Sequence, residues 1–213
     1  MTGQGRRYAG ESASDRRAAR RERLIRAAIL VYGEMGYRQT TIGAICKAAG
    51  LTPRYFYEAF VSSEALLGAA FEAVTDVMVA AIVAEGQRVE GPPVDRLRAM
   101  LTSYYGALRE EPAAARVFLI EIAGVSPAVD ALFEASVVRF ADLITRTLEP
   151  DRADPPSRSP APVARLVRTG ASYGLLHVAR TWIGGGCAEP IAQVVEAALP
   201  LCILLAKPQP HGA

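Results

Sequence analysis

The chain has 213 residues, half of them hydrophobic and many of those alanine. That is enough for a sizeable core, in one large domain or in one small plus one medium domain. Strand formers do not fall in alternating runs, so the expected fold is all-α. Charged residues interrupt every helical stretch, so no apolar run is expected to reach the length of a membrane span. The basic, polar N-terminus is not followed by an apolar export signal. Three cysteines, Cys46, Cys187 and Cys202, are odd in number and lack metal spacing, which fits reduced thiols in a cytoplasmic protein. The overall charge of +2 hides an asymmetry. Residues 1–63 carry eleven Lys/Arg against five acids, a net of +6, and the remainder thirteen against seventeen, a net of −4. A small basic head on a mildly acidic body is the footprint of a protein that meets a polyanion at one end.

In chain order, residues 1–13 lack periodicity and read as a flexible arm in which Arg6 and Arg7 could add phosphate contacts. A helix is expected from residue 14 to residue 34. Leu24, Ala28, Val31 and Tyr32 lie on one of its faces; Arg16, Arg17, Arg20 and Arg23 occupy much of the other. Gly36 ends it and Tyr37 packs back. Thr40 is expected to cap a second helix, with Thr41 in its first turn, where amides and hydroxyls are ready phosphate ligands. Ile42, Ile45, Cys46 and Ala49 fall at i, i+3, i+4 and i+7, and Gly50 follows where a left-handed residue suits a helix end. Thr52 can cap a third helix that begins with Pro53. Phe56 and Phe60 give that helix an apolar pair, which turns Arg54, Tyr55 and Tyr57 elsewhere. Two short helices about a glycine-bearing turn are how a helix-turn-helix reads DNA.

The order Ala27-Ala28, Tyr32, Gly36-Tyr37, Thr40-Thr41, Ala49-Gly50, Phe56-Tyr57 and Phe60 resembles the N-terminal domain of TetR-family transcriptional regulators. The resemblance covers some forty-five residues. It implies phosphate contacts for Thr41 and Tyr57, and a base-reading face made of Thr52, Pro53, Arg54 and Tyr55. Thr40, Ser63 and Arg20 join the expected DNA-binding set. Ser63 stands where the family usually has a lysine, which removes a phosphate-pairing charge. Arg54 and Tyr55 also depart from the common Gly or Pro and Thr. Arg54 could restore the charge or read a guanine, and Tyr55 could touch a thymine methyl. Cys46, usually Ala, reads as a small buried hydrophobe.

A long helix follows from about residue 62 to residue 86, with Leu66, Leu67, Ala70, Phe71, Val74, Met78 and Ile82 apolar. Further helices are expected over 94–110, 112–124, from Ser126-Pro127 to Leu148, over 163–183 and over 189–205, the last containing Pro200. Residues 149–162 read as a proline-rich linker and the chain end as a frayed tail. The expected division is an arm at 1–13, a helix-turn-helix domain at 14–61, a ligand-binding and dimerisation domain at 62–207, and a disordered tail at 208–213.

The last two helices are apolar on more than one face, which suits burial against both the body and a second subunit in a two-fold dimer. Met100, Tyr104, Phe118, Glu121, Phe140, Tyr173, His177 and Trp182 are expected to converge on a ligand, although an aromatic at helical spacing is more often plain core. Glu121 and His177 are polar groups amid apolar faces and so need partners. An apolar or aromatic ligand with one or two polar groups would suit such a site. No nucleophile elbow, phosphate loop or metal-binding cluster occurs, so no catalytic residue, metal or cofactor is expected. The resulting expectation is a homodimeric repressor, released from a palindromic double-stranded DNA operator by a small effector, with no membrane partner. A helical adaptor or scaffold is the alternative, but it leaves the charge-segregated head unexplained.

Overall fold

The computed structural model describes residues 12–150 and 162–206. Most of the expected arm, the linker residues 151–161 and the tail from residue 207 lie outside the described residues. All regular structure among the described residues is helical. The head consists of α1 (Ala13–Met35), a single 3-10 turn (Tyr37–Gln39), α2 (Ile42–Ala49) and α3 (Pro53–Ala59). The body consists of α4 (Ser63–Arg88), α5 (Pro93–Glu110), α6 (Pro112–Arg116), α7 (Pro127–Leu148), α8 (Pro162–Gly184) and α9 (Ile191–Ala206). A π-helical turn, Val117–Glu121, continues α6.

Local chemistry accounts for the ends. Ser12 and Asp15 form a reciprocal capping box at the start of α1, each accepting the other's backbone N–H at 3.0 Å. That makes Ser12 the cap and Ala13 the first residue of the helix, rather than part of the arm. Gly36, at φ 82°, ends α1, and the Tyr37 ring packs edge-on against Tyr32 at 5.4 Å. Gly50 is left-handed and closes α2 (φ 61°, ψ 39°). Ser62 and Ser126 cap α4 and α7 through their hydroxyls.

One expectation about the caps needs correcting. Thr41, not Thr40, caps α2: its Oγ1 accepts from the Ala44 N–H at 3.1 Å, while the Thr40 hydroxyl donates back to the Gly36 carbonyl at 2.7 Å. The chain leaves the 3-10 turn in extended form at both threonines, so the helix starts one residue later than the Thr-Thr pair suggested.

α4 also departs from expectation, being long and apolar enough by length and composition to cross a membrane. Glu72 and Asp76 still interrupt it, one turn apart on its exposed side, and its other charges fall near its ends. Leu66 to Phe71, Val74, Met78 and Ile82 are nevertheless buried in the core, which explains the apolarity without a bilayer. α4 packs on α1 at its start and along α5 and α7 beyond, so one rigid element belongs to both head and body. α9 carries Val194, Val195, Ala198, Leu199, Cys202 and Leu205 into the core, with Pro200 on its exposed side.

Candidate nucleic-acid interface and effector cavity

Phe56 and Phe60 anchor α3 in the core, their rings 6.0 Å apart. The opposite side of α3 is left to solvent, and on it Thr52, Pro53, Arg54 and Tyr57 are exposed. Thr52 occupies the cap position without making a cap bond, so its hydroxyl is not consumed by its own helix. The Thr41 hydroxyl accepts from Ala44 but keeps its proton for an acceptor outside the protein. Tyr57 is 65% exposed.

The basic residues divide into structural and free. The Arg20 guanidinium lies over the Tyr55 ring at 4.6 Å, which joins α1 to α3 and leaves Tyr55 half-buried. Arg21 lies over Phe60 in the same way at 4.8 Å. Arg23 donates to the carbonyls of Ala49 and Gly50, at 2.7 and 3.2 Å, satisfying the C-terminal end of α2. Sequence reasoning treated Arg23 as one of a charged face, and the carbonyls it serves lie twenty-six and twenty-seven residues away. Arg54 pairs with Glu58 one turn on, at 2.9 Å, with the arginine 83% exposed. Such a pair contributes about 0.5 kcal/mol or less, so an approaching phosphate or base can open it. Ser63 shares a hydrogen bond with the Tyr37 hydroxyl at 3.2 Å, and its side chain faces the head's own interior edge.

In the body, Met100, Tyr104, Phe118 and Phe140 line one apolar cavity of about 70 Å³, together with Tyr105, Ser136, Ser172 and aliphatic side chains of α4, α5, α7, α8 and α9. Tyr104, Phe118 and Phe140 meet edge to face there, and Phe71 of α4 stacks on Phe118 at 5.6 Å. Burial first, and then the neighbouring Tyr105, pushes the Tyr104 phenol far above its ordinary range, so it stays a neutral donor.

The other four residues expected around a ligand lie elsewhere. Trp182 is buried, donates to the Glu189 carbonyl at 2.9 Å and packs edge-on against Tyr105. Tyr173 and His177 are exposed on α8, where the Tyr173 hydroxyl bonds Glu134. Glu134 is also the main reason the Tyr173 phenol is pushed up to about 12. Helical periodicity grouped these residues, but α8 turns them away from the cavity.

Glu121 has its partners at the joint between body and head. It accepts from the Tyr37 N–H at 2.7 Å and from Arg116 Nε at 2.8 Å. Arg116 in turn donates to the carbonyls of Gly33 and Glu34 at the end of α1. Arg38 adds a further tie between head and body by donating to the Gly124 carbonyl, and Ser126 donates to Glu64 at the start of α4. The π-helical turn therefore faces three ways. Phe118 is in the cavity wall, the Leu119 carbonyl accepts from Arg180 of α8 at 2.7 Å, and Glu121 holds the head.

Residues 24–70 match the family model described as bacterial regulatory proteins, tetR family. The head is that of the tetR family. No curated protein sequence matches the chain. Solved structures extend the likeness of fold beyond the tetR-family head. The fatty acid degradation regulator FadR from Bacillus halodurans is 20% identical, covers 91% of this chain and 97% of its own, and superposes with a TM-score of 0.68. The regulator FadR from Bacillus subtilis, solved with stearoyl-CoA, gives 18%, 85%, 97% and 0.66 in the same order. AibR, solved with isovaleryl coenzyme A and operator DNA, gives 18%, 85%, 97% and 0.60.

Proposed function

We propose that the protein is a homodimeric, ligand-responsive transcriptional repressor of the cytoplasm. Its head, residues 14–61, takes a palindromic operator, and its body, residues 62–207, takes a small and largely apolar effector. In this reading Thr41 and Tyr57 hold phosphates, and Thr52, Pro53 and Arg54 meet base edges. Tyr55 does so only through the part of its ring that Arg20 leaves open, and Arg20 adds charge beside it. Thr40 and Ser63 position neighbouring groups rather than touching DNA themselves. The dimer uses α8 and α9, where Leu166 (67% exposed), Tyr173, Ile203 and Leu204 leave an apolar outer face.

The observation that carries the reading is the π-helical turn, whose Phe118 lines the cavity while Glu121, three residues on, grips the head. At about 70 Å³ the cavity is well below the 300–1,000 Å³ of ordinary ligand pockets, so an effector must displace its walls. Movement of Phe118 carries Glu121 with it and tilts the head relative to the body. Effector and DNA then favour different head geometries and weaken each other reciprocally. The stearoyl-CoA and isovaleryl coenzyme A bound by two proteins of the same fold support an effector with an acyl chain.

The test is fluorescence anisotropy with DNA selected by the protein from a random pool. The expected result is a two-fold-symmetric site taken by two chains, with affinity falling steeply as salt rises. Absence of any DNA binding at low salt would favour the helical adaptor instead.

A further inference from the structure

We propose that the effector is a single-chain amphiphile whose anionic head group is held by Arg96 and Arg146 at the mouth of the body, with its alkyl chain passing Met100 into the apolar cavity. The proposal rests on the effector-binding reading above and names the ligand class and the polar half of the site. A second, wetter chamber of about 500 Å³ opens between the end of α4, the start of α5 and the end of α7. Met100 and Leu143 line both this chamber and the apolar cavity, so the two spaces meet at these side chains.

The partition is closely packed. Gly86 lies against Met100 so closely that a Cβ there would sit 2.7 Å from Met100 Cγ and 2.9 Å from its sulfur. Beside the thioether, the Thr147 hydroxyl makes a weak contact at 3.5 Å. Met100 is packed here, yet as a flexible, unbranched side chain it can change rotamer where a branched one could not.

The chemistry changes across that partition. On the inner side the walls are aromatic and aliphatic, with Ser136 already bonded to the Phe133 carbonyl. On the outer side stand two guanidiniums, Arg96 and Arg146, opposed by the single carboxylate Glu90 among the lining residues. Elsewhere on the body Arg88, Arg98, Arg139 and Arg168 each hold a carboxylate. Arg96 and Arg146 form no ion pair or hydrogen bond among the described residues. Free arginine forks suit a carboxylate or phosphate, and a narrow apolar space beyond them suits a chain rather than a ring system. A ligand shaped to both must carry charge at one end and methylenes at the other.

Calorimetry on the full chain, without DNA, tests this with three ten-carbon probes held below micelle-forming concentrations: decanoate, decyl phosphate and the neutral decanol. At least one anionic probe is expected to bind about tenfold more tightly than decanol, the size expected of two partly exposed charge contacts. Whichever anion leads distinguishes a carboxylate from a phosphate head. In Arg96→Gln/Arg146→Gln that preference should vanish while decanol binding persists, which also shows that the variant folds. Equal binding of charged and neutral probes by the wild type, a preference that survives in the double variant, or no binding of any probe overturns the proposal. Failure of the operator experiment would leave this result standing, and the reverse holds too, because neither readout uses the other's ligand.

Discussion

The crossing of α1 and α6 leaves no space for a side chain at Gly33. A Cβ there would sit 2.4 Å from both Cα and Cβ of Ala113. Non-bonded carbons pack at about 3.5–4.0 Å, so Gly33→Ala must force α6 away from α1 by roughly 1 Å or more. Overpacking of this kind costs about 1–3 kcal/mol, and the better helix propensity of alanine offsets up to about 1 kcal/mol of it. The net expectation is a loss of about 1 kcal/mol, which lowers Tm by about 2–4 °C in a domain of this size. Gly106→Ala is the control, because a Cβ on that mid-α5 glycine meets nothing within 4 Å and should raise stability by about 0.5–1 kcal/mol. The functional consequence should exceed the structural one. α6 runs directly into the turn that carries Phe118 and Glu121, so its displacement disturbs the grip on Tyr37 that sets the head's angle. Urea unfolding and anisotropy with the selected operator should show Gly33→Ala slightly less stable and about tenfold weaker for DNA without effector. Unchanged stability with unchanged DNA affinity would refute both the tight crossing and its coupling to the head.

Ser63→Lys should restore a phosphate-pairing charge at the start of α4, raising operator affinity at low salt and steepening the log–log salt slope by about 0.9; a salt titration checks it. Glu58→Gln frees Arg54 and removes a negative charge from the DNA-facing side, so it should tighten binding about threefold, again by anisotropy. Tyr32→Phe should leave stability unchanged or raise it by about 1 kcal/mol in urea unfolding, because the buried Tyr32 hydroxyl has no hydrogen-bond partner to lose. Burial raises the Cys46 thiol and pushes Cys202 up to about 12, so both stay protonated at pH 8 and shielded. Reaction with a maleimide followed by mass spectrometry should therefore label the half-buried Cys187 first, with Cys46 and Cys202 reacting only on unfolding.

What the sequence disclosed follows the range of the interactions involved. The head was legible because its signals are local. Gly50 must be left-handed, Pro53 opens α3, and Phe56 with Phe60 fixes which side of α3 turns outward, all within a dozen residues. The body's helices were legible for the same reason, through their Pro and Gly boundaries and the buried spacing from Leu66 to Ile82 along α4. Contacts made across the fold were not. Arg23 looked like part of a solvated face until α2 brought the Ala49 and Gly50 carbonyls to it. Glu121 was singled out for needing a partner, and it has one, but that partner is the Tyr37 amide eighty-four residues away rather than a ligand. His177 and Tyr173 share a helix with Ser172 and Leu176, yet only the latter pair turn toward the cavity. Periodicity assigns residues to faces without saying which face meets which neighbour. The mouth residues Arg96 and Arg146 gave no signal at all, because isolated arginines on two distant helices read as surface charge. Their meaning comes from the fold, since Arg88, Arg98 and Arg168 hold carboxylates while Arg96 and Arg146 have none among the described residues. An unpaired cation at the open end of an apolar passage is informative only in three dimensions.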